Sequence, residues 1–365
     1  MRLAQNSLRA RVSLLPCLRL WKCITAPIRA SAVDQCPPAL LHSRRSLTGL
    51  PVVYHEAYSA PQLAAGHRFP MGVFRRIYET LLEDGIVTEK QVHVPCELPS
   101  TEMLQLVHTA EFVDSFTRGV LDEPRMKRIG FGEVTRSPVL IERTLSEVAG
   151  TLLTARLALM HGLACNTAGG THHAFPDAGS GFCILNDLAV TAAVLLGEGR
   201  VGRVLILDLD VHQGDGTALI FRDEPRVFTM SVHGEGNFPA RKQTSDLDVP
   251  LPNGTADDEY LRVLGEMLPP VLSCFQPDIV LYDAGVDPHK DDSLGKLALT
   301  DEGLLRRELQ VLDTCLAADI PVAGYVGGGY SPDLDVLAQR HTLLHQAASQ
   351  MWELYELGDR EIEAG

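Results

Sequence analysis

The chain has 365 residues, 45 % hydrophobic and 22 % charged, which is core enough for one large or two ordinary domains and argues against disorder. Residues 1–50 carry eight Arg or Lys and one acid, Asp34, which leaves 24 bases against 46 acids, a net of −22, over residues 51–365. So acidic a body argues against binding a nucleic-acid backbone, because phosphate contact needs a basic footprint, and directs attention to neutral or cationic substrates.

In chain order, the first segment is distinct. Its first 33 residues contain no Asp or Glu, while Arg2, Arg9, Arg11, Arg19, Lys22 and Arg29 interleave with Leu, Ser and Ala. That composition predicts an organelle-targeting leader over residues 1–50. Arg is more prominent than Ser and Thr, so the expected destination is mitochondrial; a plastid is the alternative, and a cytoplasmic or nuclear protein with a basic tail the bland reading. The apolar run from Val12 to Leu18 is short, holds Pro16 and is followed by Arg19 and Lys22, so it makes neither a secretory core nor a membrane span, and no membrane insertion is expected. Cysteines 96, 165, 183, 274 and 315 are scattered without C-x-x-C spacing, which fits a reduced compartment.

From about Pro51 the sequence reads as one globular domain to residue 350, with a tail over 351–365. Helix is predicted for Met71 to Asp84, for Ser100 to Arg118 with Ser100-Thr-Glu-Met as its cap, and for Pro138 to Gly162. The second half alternates. Strands at Arg203–Asp208, Arg226–Val232, Asp278–Tyr282 and Pro321–Val326 are separated by helices such as Ala256–Phe275 and Thr300–Ala318. The expected fold class is therefore α/β, a single domain with a central, mainly parallel sheet and helices on both faces.

Each predicted strand ends in polar residues or glycine, where ligands of open α/β sheets bind. His172 and His173 lie 36 residues before Asp208-Leu-Asp-Val-His-Gln-Gly-Asp215. If the strand continues, Asp208, Asp210 and His212 fall on one face at i, i+2 and i+4. Asp287 closes another strand in the same way. Carboxylates ending apolar strands are costly unless paired or metal-bound, so Asp210, His212 and Asp287 make an open site for Zn²⁺ or a similar divalent ion. Gly327-Gly-Gly-Tyr330 lacks the following Lys or Ser/Thr helix start of a phosphate loop; its glycines let the Tyr330 phenol approach a developing oxyanion.

Five ordered motifs carry a family resemblance: Gly169-Gly-Thr-His-His-Ala-Phe-Pro176, Gly181-Phe-Cys-Ile-Leu-Asn-Asp187, Asp208 to Thr217, Ala284-Gly-Val-Asp287 and Gly327-Gly-Gly-Tyr330. Together the chain resembles the zinc-dependent histone deacetylase family of the arginase-deacetylase fold, in its bacterial, organellar or class IV-like form, from about Tyr54 to Gln350. The resemblance implies a hydrolase that removes acetyl or longer acyl groups from lysine side chains of proteins or peptides, with one Zn²⁺ on Asp210, His212 and Asp287. It implies Tyr330 as carbonyl donor, His173 as proton carrier, His172 as its electrostatic partner, and Asp208 and Asp215 as their respective orienting acids. Gly181 and Phe182 would face Phe238 across a lysine tunnel. Gly328 would also bind substrate, Leu294 would lie at the tunnel mouth where polyamine-selective members carry an acid, and Arg68 in a cavity beneath the zinc. A structural K⁺ is implied near Asp208, Ser231 and Val232. The other readings are an acetylpolyamine amidohydrolase, an arginase-like enzyme with two manganese ions, for which the chain offers too few bridging acids, and a non-catalytic acyl-lysine binder.

Overall fold

The computed structural model describes residues 48–359; the leader up to residue 47 and the last six residues of the tail lie outside the described residues. Runs such as Val204-Leu-Ile-Leu-Asp208 and Ile279-Val-Leu-Tyr-Asp283 are buried along their whole length, which is what a parallel sheet covered on both faces requires. The strands are β1 (Val52–Val53), β2 (Val92–His93), β3 (Leu163–Asn166), β4 (Val204–Asp208), β5 (Val227–Gly234), β6 (Leu247–Leu251), β7 (Ile279–Asp283) and β8 (Val322–Tyr325). All pair in parallel, in the order β2-β1-β3-β8-β7-β4-β5-β6.

Among the described residues the α-helices are α1 (Val73–Glu83), α2 (Thr101–Leu104), α3 (Ala110–Thr117), α4 (Glu123–Ile129), α5 (Pro138–His161), α6 (Asp187–Gly197), α7 (Asp215–Ile220), α8 (Asp257–Phe275), α9 (Asp301–Leu316) and α10 (Leu334–Leu354). None is long and apolar enough to cross a membrane. Local signals explain their ends. Ser137 caps α5 by accepting the Leu140 N–H, Pro138 occupies its first position, and Gly162, at φ +88°, ends it.

The α/β alternation expected from the sequence is present, with differences that have physical causes. The helix predicted over Ser100–Arg118 is two. Ser100 does cap α2, but Thr109 caps α3 and gives its N–H to Pro176 O at 2.8 Å, breaking the helix where His108 turns inward. Strands β1, β2 and β3 are too short to show a period. In β6 Pro250 masks the pattern; the strand lies at the sheet edge, where a missing N–H costs nothing. The boundary drawn after residue 350 falls inside α10, whose Met351 and Trp352 are buried.

Candidate active site

The central strands β7, β4 and β5 deliver their carboxyl ends side by side, with Asp208 in register with Asp283 on one side and Ser231 on the other. Strand β4 stops at Asp208, so the period of two does not carry through to His212. Asp208 turns instead toward His172, and Asp210 and His212 come from the loop beyond. Asp210, His212 and Asp287 each present a ligating atom, all within 4.8 Å of one another. His212 Nδ1 lies 2.9 Å from Asp210 Oδ1 and 3.0 Å from Asp287 Oδ2. Asp210 Oδ2 accepts the Gly328 N–H at 2.8 Å and Asp287 Oδ1 the Val211 N–H at 2.8 Å, whereas Asp287 Oδ2 is buried with no hydrogen-bond partner. A Cβ at Gly328 would stand 2.4 Å from Asp210 Oδ2 and 2.6 Å from Asp287 Oδ2, so only glycine fits here.

This donor set suits a divalent ion. Burial works to neutralise His212, but Asp287 and Asp210 overcome it and push the imidazole up to about 10; burial, then Asp210, pushes Asp287 up to about 7. A cation on the same three atoms would supply that positive charge itself, so its binding would release a proton.

His172 and His173 stand with ring centroids 4.1 Å apart. His172 Nδ1 donates to Asp208 Oδ2 at 2.9 Å and His173 Nδ1 to Asp215 Oδ1 at 2.7 Å. Their charges diverge. Burial opposes charge on His172, but Asp208 and Asp210 raise it well above the ordinary imidazole value. Burial, then the neighbouring His172, lowers His173 to about 4 against the pull of Asp215. Asp187, opening α6, fixes the loop that carries both: it accepts the N–H groups of Gly170 (3.1 Å) and Thr171 (2.8 Å) and the hydroxyls of Thr151 and Thr171 (2.6 Å each).

The residues expected to line a tunnel lie around this centre. Gly181, at φ +52°, packs on His173, where a Cβ would come within 2.8 Å of its ring. The Phe238 ring stands at 87° to that of His173 with centroids 4.9 Å apart, and Phe238 is 47 % exposed. Phe182 holds a left-handed φ of +67°, with its ring among His67, Phe69 and Phe131. Leu294 joins the Phe238 loop through its carbonyl, which accepts from Asn237 Nδ2 at 3.0 Å. The Tyr330 ring lies 6.3 Å from that of His212; burial, then Asp210 and Asp287, keeps its phenol protonated far above the usual range.

Arg68 is not beneath this centre. His67 Nδ1 accepts the Phe69 N–H at 3.1 Å, a turn that sends Phe69 inward and leaves Arg68 exposed. The cavity of about 50 Å³ lined by Asp210, His212 and Tyr330 is lined as well by Arg143 and Glu147 of α5, and not by Arg68. Arg143 pairs with Glu147 in a fork (2.7 and 2.8 Å), donates to Tyr58 O at 3.2 Å and lies over Phe74 at 5.1 Å. Their spacing reads as an ordinary i, i+4 surface pair, so nothing in the sequence marks it as buried.

Two further groups escaped sequence reasoning. Asp283 is fully buried, 3.6 Å from His172 Nδ1, with neither oxygen hydrogen-bonded. Burial, then Asp208, raises it well above the ordinary carboxylate range. Its place as the last residue of an apolar strand was the available signal. Arg307 of α9, fully buried, donates to Leu209 O (3.2 Å), Gly285 O (2.8 Å) and Ala284 O (3.2 Å), joining the β4 and β7 ends.

Comparison with known proteins agrees with this arrangement. Residues 67–346 match the histone deacetylase domain. The chain is 54 % identical over 304 residues to an uncharacterized protein of Picosynechococcus sp., covering 83 % of this chain and 100 % of that one. It is 31 % identical over 287 residues to the acetoin utilization protein AcuC of Staphylococcus aureus, 73 % of each chain, and 29 % identical over 293 residues to histone deacetylase 2 of Arabidopsis thaliana, 78 % of this chain and 75 % of that one. The crystal structure of the HDA15 HD domain shares the fold, with a TM-score of 0.71 at 23 % identity over 83 % of this chain and 89 % of that one. With the domain match spanning most of its length, this chain belongs to the histone deacetylase family.

Proposed function

We propose that the protein is a zinc-dependent amidohydrolase that removes acetyl groups from lysine side chains. One observation carries this reading: a two-carboxylate, one-imidazole cradle, a protonated phenol and a neutral, Asp-oriented histidine meet at one buried point. A Zn²⁺ held by Asp210, His212 and Asp287 would supply Lewis acidity and a water acidic enough to ionise near neutral pH.

The rest follows from the chain's own groups. The lysine methylenes lie between Gly181, Phe182 and Phe238. Tyr330 donates to the acyl oxygen as negative charge develops there. His173, its tautomer fixed by Asp215, takes a proton from the attacking water at Nε2 and passes it to the leaving amine. His172, held cationic by Asp208, offsets negative charge beside it. A K⁺ near Asp208 and Ser231 belongs to the same proposal.

Protein lacking residues 1–45 is expected to hydrolyse acetyl-lysine peptides, lose activity to a chelator and regain it with Zn²⁺, and Tyr330→Phe should lower kcat by about 10²–10³-fold. Absence of metal-dependent activity on every acyl-lysine and acetylpolyamine tested would overturn the proposal; binding without turnover, indifferent to Tyr330→Phe, would favour the binder. Leu294 at the mouth, where an acid would suit a polyamine cation, favours acyl-lysine over acetylpolyamine. For residues 1–50 we propose an organelle-targeting leader. Its arginines favour mitochondria, while the 54 % identical cyanobacterial relative lends weight to a plastid. Imaging the full chain beside one lacking residues 1–45 tests this, and identical cytosolic distributions would remove it.

A further inference from the structure

Tyr330 can serve as a donor only if its backbone is held still, and the three glycines before it give no stiffness of their own. Asp292 lies on the turn after Asp287, 38 residues before Tyr330 in sequence. Its Oδ1 accepts the Leu294 and Gly295 N–H groups at 2.8 Å each, an ordinary aspartate turn. That turn needs one oxygen. The other, Oδ2, accepts the Tyr330 N–H at 2.7 Å, and the next residue, Ser293, donates its own N–H to Tyr330 O at 2.9 Å. Tyr330 is therefore gripped on both backbone groups by residues 292 and 293. The same turn carries Leu294, whose carbonyl accepts from Asn237 beside Phe238.

We propose that Asp292 is a positioning residue for the oxyanion donor: its carboxylate sets where the Tyr330 phenol stands over the metal cradle and ties that placement to the tunnel mouth. It touches neither the cradle's ligating atoms nor the tunnel. Its Oδ2 acts on the site through the Tyr330 backbone, while its charge is also felt at Asp287 and His212, which is why zinc content is read alongside rate. A charge-assisted N–H bond at 2.7 Å is a stiff tether, and a displacement of the phenol by about 1 Å is enough to cost on the order of 100-fold in rate.

The proposal rests on the hydrolase reading above, and a double-mutant cycle on the Zn²⁺-loaded protein separates the two. Asp292→Asn keeps the shape and one acceptor but cannot serve both the turn and Tyr330. It is expected to lower kcat on an acetyl-lysine peptide roughly 10- to 100-fold with KM within about 2-fold, while Zn²⁺ content stays stoichiometric. In a Tyr330→Phe background, where no hydroxyl remains to be placed, the same change should cost less than about 2-fold. Asp292→Glu, which retains both oxygens, should recover part of the lost kcat, and it carries the cycle if the Asn variant is insoluble. An equal loss in both backgrounds, a loss accompanied by loss of zinc, or no loss in the Tyr330 background would overturn the positioning role. A Tyr330→Phe variant as fast as the unaltered protein would remove the donor and the positioning role with it, whereas absence of any hydrolysis by the unaltered Zn²⁺-loaded protein would instead overturn the hydrolase reading.

Discussion

At the floor of the site Asp208, Asp210, His212, Asp283 and Asp287 are between 0 and 7 % exposed, on the ends of central strands or the loops just beyond them, and Asp208, Asp210 and Asp287 are fastened by backbone donors. At the mouth Phe238 is 47 % exposed, and the Leu294 carbonyl is tied to its neighbour Asn237 by a side-chain bond between loops. The floor concentrates charge in a place where burial makes every charge expensive, so each group there needs a named partner. The mouth handles apolar contact at low cost. Chemistry should therefore fail abruptly when the floor is altered, whereas changes at the mouth should tune affinity.

The sharpest contrast lies within the floor. Asp287→Ala should abolish stoichiometric divalent-metal binding, read by elemental analysis, and lower hydrolysis at least ~10³-fold, the several kcal/mol a bound ion contributes to charge stabilisation. Asp283→Asn, equally buried and four residues earlier, should keep the ion; loss of metal from both variants would erase the distinction between the two acids. Next in size is Asp215→Asn. On the proposed mechanism His173 works in its neutral form, so kcat/KM should fall as pH drops through its value of about 4. Asp215 raises that value, and its removal should move the acid limb to lower pH while the plateau drops about 10- to 100-fold from lost orientation. An acid limb that moved upward would show that another group titrates. Smallest is Phe238→Ala at the mouth, expected to raise KM about 2- to 10-fold with kcat and melting temperature unchanged. A collapse of kcat there would mean that mouth and floor are not separable.

Legibility in the sequence follows the same division. The β4, β5, β7 and β8 strands were visible because central parallel strands are continuously apolar, and Asp210, His212 and Asp287 stood out as polar residues following them. Asp208 was visible but was first grouped with Asp210 and His212 by strand periodicity, which ends where β4 ends. Asp283 went unremarked because one acid four residues before another gives no sign of facing a histidine over a hundred residues away. The family resemblance placed an arginine beneath the metal at position 68, yet a local turn exposes Arg68 and Arg143 reaches that space from α5. Such substitutions of one element for another are set by packing, and packing is absent from a linear pattern. The short strands β1 and β2 follow the same logic: two residues cannot show a period, and only pairing makes them strands, β1 with β3 and β2, at the sheet edge, with β1.

Arg307 has a consequence for the order in which the protein can come into being. Its guanidinium holds the carbonyls of Leu209, Ala284 and Gly285, so the spacing between the Asp210 and Asp287 loops depends on α9, a helix that begins only at Asp301. During synthesis, both histidines and all three cradle ligands emerge before the residue that locks them together. A nascent chain ending near residue 300 would thus own every cradle ligand and still lack the cradle. Any ion that the cradle takes would therefore meet its final geometry only once α9 has docked.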